Sequence, residues 1–468
     1  MKGEKRMQTQ VTVPIRDGYD FGVGVDLLSG AVMNQPVNAG AAVTGVEHVG
    51  GITVDFIVQR IQSTSDLEQA LGIDAEASYG SPSFGAGVSA RFNFAKSAKI
   101  QSSSLFMTVT ATVKLPVLSI NAPSLTLEAG KVVDRPDIFA QRFGNAFVRT
   151  MERGAIFIGV LRVDTSNSEE SESIDSELKG SYGLFSGDAQ ERFSEVEKHF
   201  RSDVFVQMYH EGGPPGLKIT DPTDPRELLR NANLFVESFT TNADASSVAY
   251  NVTLAPITIA TGPLPPNQAD LGLAQDVMRF CASRRSVLLD QLNLLQLIVD
   301  RPSRFDFSNG ANLKEIATAA ANTQSDLDLI AHCASAAIDS PSKAKFPKDF
   351  AAANGVTFPS AIMPEILPVG KPRSPGETTI PNFVGLTVTA ASALASQKGV
   401  PIEFRHAESP DDPFGEDLEL LQLGNGDTDH PHSNDQIVIN FQLPPAGSDL
   451  KPGDTVGLGV ELAPGVPR

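Results

Sequence analysis

The chain has 468 residues, of which 41% are hydrophobic, and this length is enough for about three domains with apolar cores. Its formal net charge of −19 argues against binding to nucleic acid, because that affinity comes from Lys and Arg on phosphates. No run of 18 apolar residues is present, and no apolar segment follows Lys2, Lys5 and Arg6 as it would in a secretory signal. We therefore expect a protein that is made in soluble form.

Residues 1–20 are predicted to form a flexible tail, and residues 21–262 to form a domain built around a β-sheet. Strict alternation of apolar and polar residues predicts half-buried strands in the second region. The alternation is clearest from Leu105 to Leu115 and recurs in the segments "AIFIGVLRV", "DVFVQMYH" and "AYNVTLAPITIA". The proline-rich stretch "TGPLPP" ends the region.

Apolar residues at helical spacing predict a small helical section at 263–355. It contains Cys281 and Cys333, the two cysteines of the chain, which we expect to be buried free thiols. The Pro- and Gly-containing segment 356–378 is predicted to be a linker. Residues 379–468 are predicted to form a small domain of strands with one helix near its start.

A short pattern occurs twice within 21–262, each time in a polar segment between two predicted strands. We call these segments insert 1 (62–102) and insert 2 (164–200). The matching residues are Ile73-Asp74 and Ile174-Asp175, Ser78-Tyr79-Gly80 and Ser181-Tyr182-Gly183, Phe84 and Phe185, and Arg91-Phe92 and Arg192-Phe193. The unit of strand, insert and strand is therefore duplicated.

The two inserts differ in their hydrophobic period. In insert 2 one helical face is apolar, comprising Ile174, Leu178, Tyr182, Phe185, Ala189 and Phe193, and the opposite face is acidic. In insert 1 the apolar residues alternate as in a membrane-spanning β-strand of about 9–11 residues, and they are Phe84, Ala86, Val88, Ala90, Phe92 and Phe94. Segments that are helical in water and form hairpins in lipid would have such mixed patterns, whereas a pair of ordinary surface helices would also fit.

The stretch "FGNAFVRTMERGA" lies between the two inserts and places Gly154 inside a strongly β-prone run. A glycine weakens a strand interior, so it indicates a bend or a close approach of another backbone. With Phe143, Gly144, Asn145 and Phe147, followed by Gly154 and Ala155, this stretch resembles the signature of the membrane attack complex/perforin (MACPF) family. The glycine-rich segment "GVGVDLLSG" also resembles the opening of such domains, and the resemblance covers about half of the chain.

The resemblance implies an α+β fold with a bent antiparallel central sheet flanked by helical inserts. It implies that the sheet opens at the bend near Gly154, releases both inserts as β-hairpins and closes a barrel from many protomers on a membrane. Two positions depart from the family pattern: Ala146 stands where the family usually has His, and Ala155 replaces a second Gly. The acidic residues of insert 2 would have to face the water-filled lumen of the barrel.

The C-terminal region resembles a PASTA module, a small α/β fold. The residues that carry the resemblance are Pro381, Gly385, Gln442, Pro444, Gly447 and Gly453, and an acidic segment at 408–435 interrupts the pattern. Some modules of that family bind peptidoglycan, and others space or dimerise domains. The resemblance therefore implies either a glycan-binding partner or a structural role.

No pattern in the sequence predicts an enzyme, a cofactor or a metal site. The run "DTDHPH" (427–432) places carboxylates and imidazoles together, but no second cluster completes a coordination shell, so a solvated loop is expected. The sequence contains no Gly-x-Ser-x-Gly motif and no phosphate-binding loop. The expected function is therefore that of a pore-forming protein, released or delivered and then membrane-associated as a ring, or alternatively of a non-lytic binding or scaffold protein anchored by its C-terminal module.

Overall fold

The computed structural model describes residues 10–39, 43–45, 53–74, 78–85, 87–164, 204–264, 271–370, 378–406, 436–443, 449–450 and 455–462. Its main feature is an antiparallel sheet of nine strands within these residues. They are β1 (Val11–Pro14), β2 (Gly24–Val25), β3 (Val43–Gly45), β4 (Thr53–Ile61), β5 (Ser104–Lys114), β6 (Leu118–Ile120), β7 (Ala146–Asp164), β8 (Val204–Glu211) and β9 (Val248–Pro256). The predicted α+β class, with a large antiparallel sheet and flanking helices, is confirmed.

Further helices and shorter strands lie outside the nine-stranded sheet. The helices are α1 (Thr64–Ala70), α2 (Ser81–Phe84), α3 (Ala90–Ser97), α4 (Leu127–Gly130), α5 (Pro136–Phe143), α6 (Arg226–Ser246), α7 (Gly272–Asp300), α8 (Leu313–Asp339), α9 (Pro347–Ala353) and α10 (Val388–Lys398). The remaining strands are β10 (Phe305–Asp306), β11 (Val369–Gly370), β12 (Thr378–Thr379), β13 (Ile402–His406), β14 (Ile437–Leu443), β15 (Asp449–Leu450) and β16 (Val456–Leu462).

The sheet is covered on both faces. On one face, helix α6 packs Leu228, Phe235 and Phe239 against the apolar side of β5 and β7, and the ring centroids of Phe157 and Phe235 are 5.6 Å apart. On the other face, insert 1 packs its helices against residues such as Ile158. Strand β5 is consequently buried on both sides over most of its length, more than simple alternation predicts.

Two predicted boundaries are corrected by the structure. Residues 11–14 of the predicted tail form strand β1, because Val11 and Val13 are buried and pair with Leu254 and Val252 of β9. Part of the predicted linker is also fixed, because Asp326 of α8 accepts hydrogen bonds from the backbone N–H groups of Ser360 and Ala361, and β11 pairs with β10.

The helical section and the sheet share one hydrophobic core. Helices α7 and α8 contribute Cys281, Leu292 and Ile330 to a buried cluster that also contains Leu27 and Leu254 of the sheet region. The section therefore packs on the sheet as part of the same folded unit. Both cysteines are buried and free, as expected.

The C-terminal region has its own core and an α/β arrangement. Strand β16 pairs in parallel with β13 and antiparallel with β14, and helix α10 packs against this sheet through Val388, Ala391 and Ala395. Thr387 caps the start of α10, and Gly399 ends it in a left-handed conformation.

Candidate functional site at the Gly154 junction

The long strand β7 exchanges its partners at Gly154. Before this residue, β7 lies between β9 on one side and β2 and β6 on the other. After it, β7 lies between β5 and β8. Irregularities in the pairing with β9 fall between Val148 and Thr150 and between Glu152 and Arg153, and such bulges bend the strand that carries them. Gly154 therefore joins two differently paired halves of the sheet.

The conformation of Gly154 explains why no side chain occupies this position. Its φ is +142°, in a region that residues with a Cβ rarely adopt. A Cβ here would overlap the carbonyl oxygen of Val113 and lie 2.8 Å from its carbonyl carbon. The backbone of β5 thus approaches β7 directly, which is one of the two explanations that the sequence offered.

The predicted signature residues lie together where helix α5 meets β7. Phe143 and Phe147 are buried in one apolar cluster, and Gly144 ends α5 with a φ of +73°. The amide of Asn145 accepts a hydrogen bond of 2.9 Å from the backbone N–H of Leu27. These residues attach the segment "GVGVDLLSG" to the start of β7, and a Cβ on Gly24 would overlap the carbonyl oxygen of Phe143.

The two departures from the family pattern are both accommodated in the core. Ala146 and Ala155 have no exposed surface. A Cβ on Gly212, the residue after β8, would lie 2.9 Å from the Cβ of Ala155. A small residue at position 155 therefore fits the close contact between β7 and the end of β8.

In the structure insert 1 comprises the residues between β4 and β5, 62–103, and its described part contains the helices α1, α2 and α3. Both interpretations of the sequence allowed helices in this form of the protein, and the refolding of the alternating residues into a strand in lipid stays a prediction. Ser63 forms a capping box with Asp66 at the start of α1, and Ser89 caps α3. The backbone N–H groups at both helix starts thus have partners that a strand would not provide.

The candidate membrane-inserting residues of insert 1 have different environments. Phe92 is 2% exposed, whereas Val88 is 41% exposed and Ala90 is also exposed. Phe84 is partly buried against the shared core, and the rings of Phe94 and Tyr209 have centroids 5.6 Å apart. The residues that would share one face of a hairpin are thus divided between core and surface. Ala86 lies outside the described residues.

In the structure insert 2 comprises the residues between β7 and β8, 165–203, and these lie outside the described residues. Its predicted membrane-inserting residues, Ile174, Leu178, Tyr182, Phe185, Ala189 and Phe193, therefore stay a prediction. The structure does describe the strands on either side of it. Strand β7 ends at Asp164, and β8 begins at Val204, directly opposite Val163.

Arg91 fastens insert 1 to the sheet beside the junction. Its side chain has no exposed surface and forms two hydrogen bonds with Glu211 of β8, from Nε at 2.8 Å and from Nη2 at 2.5 Å. The remaining three N–H groups donate to the carbonyl oxygens of Leu71 and Tyr250 and to the amide oxygen of Asn251. All five donors of the guanidinium are thus paired.

The Arg91 network extends to the bent strand and to a tyrosine. Asn251 donates a hydrogen bond of 2.9 Å to Glu152, two residues before Gly154. The hydroxyl of Tyr209 donates to Glu211 at 2.6 Å, and burial together with this carboxylate raises the pKa of Tyr209 above its ordinary value. Sequence reasoning did not assign Arg91 a role, although its recurrence as Arg192 in the repeat marked it.

A second charged cluster lies where both inserts leave the sheet. Asp164 has no exposed side-chain surface and lies 2.8 and 2.9 Å from Arg301 and Arg304, which follow α7. Ser104, the first residue of β5, donates to Asp164 at 2.6 Å. Burial alone would raise the pKa of Asp164, but Arg162, Arg304 and Arg301 outweigh it and hold the pKa below the usual range. The cluster thus ties both strand ends to the helical section.

In the C-terminal module the predicted residues have local structural roles where they are described. The amide oxygen of Gln442 accepts a 2.6 Å hydrogen bond from the backbone N–H of Phe383, and its NH₂ donates to the carbonyl of Pro381 at 3.0 Å. Gly385 has a φ of +86° in a turn. Pro444, Gly447 and Gly453 lie outside the described residues.

The described residues contain no candidate metal site and no candidate membrane-spanning helix. No group of three His, Cys, Asp or Glu side chains in these ranges could hold a metal ion. No helix in the described part of the chain is long and apolar enough to cross a membrane.

Comparisons with known proteins found similarity to solved structures. No family model matches the sequence, and no curated protein matches it at a significant level. Stonustoxin is 10% identical, with a TM-score of 0.39, and the match covers 70% of this chain and 42% of that chain. GNIP1Aa from Chromobacterium piscinae is 17% identical, with a TM-score of 0.28 and coverage of 54% of each chain.

A third similar structure is a MAC/Perforin-domain protein from Bacteroides thetaiotaomicron. It is 12% identical, with a TM-score of 0.30 and coverage of 51% of this chain and 56% of that chain. The chain therefore spans roughly half the length of these three proteins. At these identities and TM-scores the likeness alone assigns no function.

Proposed function

We propose that this protein forms pores: protomers assemble into a ring on a target membrane, and inserts 1 and 2 refold into β-hairpins of a common barrel. The observation that carries the proposal is the position of the two inserts. Each connects two neighbouring antiparallel strands, β4 with β5 and β7 with β8. Both leave the same end of the sheet, where Ile61 pairs with Phe106, Ser104 with Asp164 and Val163 with Val204. Hairpins formed from the inserts would therefore extend four strands that are already paired in the order β4-β5-β7-β8.

The lengths of the inserts suit this refolding. Insert 1 has 42 residues between Ile61 and Ser104, and insert 2 has 39 residues between Asp164 and Val204. A membrane-spanning strand needs about 9–11 residues, so each insert has enough chain for two strands and a turn. Lipid accepts only closed sheets, because no water is present to pair with free backbone groups. Several protomers would have to join before insertion.

The outer strands of this four-stranded part offer edges for such joining. Among the described residues, β4 pairs only with β5, and β8 pairs only with β7. The outer side of β8 carries a hydrogen bond of 2.7 Å from Val206 N to the carbonyl of Pro222, which pairing with another protomer would replace. The edge of a sheet is a template for pairing with another chain.

A non-lytic binding or scaffold function is the second candidate, and the charges favour it. The ion pair between the buried Arg91 and the partly exposed Glu211 holds insert 1 in its helical form, and leaving either charge without its partner is costly. Insert 2 carries eight acidic residues between positions 169 and 195, which a hairpin would have to keep out of lipid. In this case the C-terminal module would anchor the protein, with peptidoglycan or another glycan as its ligand.

Release of a trapped dye from liposomes, combined with negative-stain imaging of the same samples, tests the two functions. The lipid compositions should include total bacterial and eukaryotic extracts. Leakage together with ring-shaped particles supports pore formation. If no composition gives leakage or rings, the pore proposal fails in favour of the scaffold function, for which binding to isolated peptidoglycan is the next assay.

A cysteine crosslink tests whether insert 1 must leave its place. The side chains of Thr64 and Asp290 already meet, with Oγ1 and Oδ1 2.5 Å apart, so the variant Thr64→Cys/Asp290→Cys would join α1 to α7. Replacing Cys281 and Cys333 by Ala leaves this pair as the reactive one. The oxidised protein should not release dye from liposomes, and the same sample after reduction serves as its matched control. Equal leakage in both states would contradict the refolding of insert 1.

A further inference from the structure

Helix α7 of the helical section runs along insert 1 and contacts it near both ends. The carboxylate of Asp290 accepts hydrogen bonds from the backbone N–H and the hydroxyl of Thr64 at the start of α1. The amide of Asn293 donates to the carbonyl of Ile100, just before β5. Insert 1 is therefore held from two sides, by the sheet through Arg91 and by α7.

Charged side chains occupy the middle of the contact between insert 1 and α7. The guanidinium carbon of Arg285 lies 3.9 Å from the ring centroid of Phe92 and 5.3 Å from that of Phe84. Ser286 donates a hydrogen bond of 3.1 Å to Glu68 of α1. Glu68 is 3% exposed and Arg285 is 9% exposed, so both charges are almost fully removed from water.

Within the described residues, three buried polar atoms of insert 1 and α7 have no hydrogen-bond partner: Glu68 Oε1 and Ser83 Oγ in insert 1, and Arg285 Nη1 in α7. The described residues contain one further buried atom of this kind, Arg162 Nε, and it lies 3.2 Å from the carboxylate of Asp164. A buried polar atom without a partner raises the free energy of the packed state, and water would pair with it after separation.

The titration behaviour of the two charged groups agrees with this cost. Burial raises the pKa of Glu68 above its ordinary value, although Arg285 opposes the shift. Burial lowers the pKa of Arg285 to about 10, although Glu68 opposes that shift. The charged form of each group is thus less favourable in the packed state than in water.

We infer that the contact between insert 1 and α7 is a restraint weakened by its own unpaired polar groups, and that Glu68, Ser83 and Arg285 set how readily insert 1 separates from α7. The regulatory part of this inference rests on the proposed pore-forming function. The contrast with Arg91 supports it, because all five of that residue's donors are paired at the opposite side of insert 1. The α7 contact, unlike the Arg91 contact, therefore contains polar atoms that gain partners when it separates. We expect it to open before the Arg91 contact.

The test removes the unpaired groups without removing apolar packing. Ser83→Ala deletes one unpaired hydroxyl, and the double variant Glu68→Met/Arg285→Met replaces both charges, a change that is often neutral or stabilising in a buried pair. Ser283→Ala on the exposed face of α7 is the matched control for the first variant. Hydrogen exchange of the backbone amides of α1 and α3 in the full-length protein reports the local opening, and dye release reports pore formation.

We expect amide exchange in α1 and α3 to slow by about fivefold to tenfold in Ser83→Ala, with dye release slowed to a similar extent, and no change in Ser283→Ala. The double variant should change in the same direction. Exchange that is unchanged or faster in both variants would overturn the inference. Slower exchange with an unchanged rate of leakage would overturn the link to release while leaving pore formation intact. Failure of the proposed function is distinguishable, because it would appear as absence of leakage from the wild-type protein.

Discussion

Replacing Gly154 by Ala should destabilise the sheet more than any ordinary Gly→Ala change. The new Cβ meets two separate obstacles. A residue other than Gly in an unfavourable backbone region costs about 1–3 kcal/mol. The Cβ would also overlap the carbonyl oxygen of Val113 and lie 2.8 Å from its carbonyl carbon, and overpacking of this kind costs about 1–3 kcal/mol. We therefore expect the free energy of unfolding to fall by about 2–6 kcal/mol.

Gly216 provides the matched control for this change. Its φ is +92°, but a Cβ there would have no atom within 4 Å. Gly216→Ala therefore measures the backbone cost alone, about 1–3 kcal/mol. Urea unfolding followed by far-ultraviolet circular dichroism suits the comparison, because the chain has no Trp and only five Tyr residues. If Gly154→Ala and Gly216→Ala lose equal stability, the close approach of β5 to Gly154 has no energetic consequence and the reasoning is refuted.

Three further predictions concern buried side chains. Arg91→Met should lower the free energy of unfolding by about 3–5 kcal/mol, because Glu211 loses its charged partner. The double variant Arg91→Met/Glu211→Met should lower this free energy by less. If urea unfolding shows equal losses for the two variants, the pairing is contradicted. Burial raises the pKa of Asp290 to about 6, so the folded state binds a proton more readily than the unfolded state. The stability of the wild type relative to Asp290→Asn should therefore increase as the pH falls from 7 to 5. Parallel pH profiles of the two proteins in thermal unfolding would disprove this. Cys281 and Cys333 are buried, and their mutual contact raises the pKa of Cys281. An aromatic disulfide reagent should therefore react slowly with these thiols in the native protein and quickly in denaturant. A fast reaction of the native protein would instead show that helices α7 and α8 open readily.

The sheet was predictable from the sequence because its signal is local. Alternation from Leu105 to Leu115 follows from the two-residue period of a strand, and β5 occupies this segment. The sequence shows that Gly154 is unusual within a β-prone run, but it does not show why a glycine is required there. The cause is Val113, which lies 41 positions earlier in the chain and approaches it only in the folded sheet.

The structure of insert 1 was harder to predict, because its local patterns conflict. Phe84 to Phe94 alternates like a strand, yet Ser89 caps a helix at Ala90, and Phe92 is buried by contact with α7 and the sheet. Tertiary contacts therefore decide between two local possibilities of similar strength. Helix α6 was not predicted, although Leu228, Ala232, Phe235 and Phe239 recur at helical spacing and lie in one buried cluster.

The two attachments of insert 1 together favour one order of events for the proposed refolding. Separation from α7 breaks the hydrogen bonds of Asp290, Asn293 and Ser286 to insert 1, but it also exposes Glu68 and Arg285 to water, which offers partners to atoms that lack them in the packed state. Separation from the sheet instead breaks five hydrogen bonds of Arg91 and leaves Glu211 without its counter-ion. That second step requires a compensating gain, and under the proposed assembly the pairing of β4 and β8 edges between protomers would supply new backbone hydrogen bonds beside Glu211. Release from α7 should therefore occur in the monomer, and release from Arg91 only after protomers have joined.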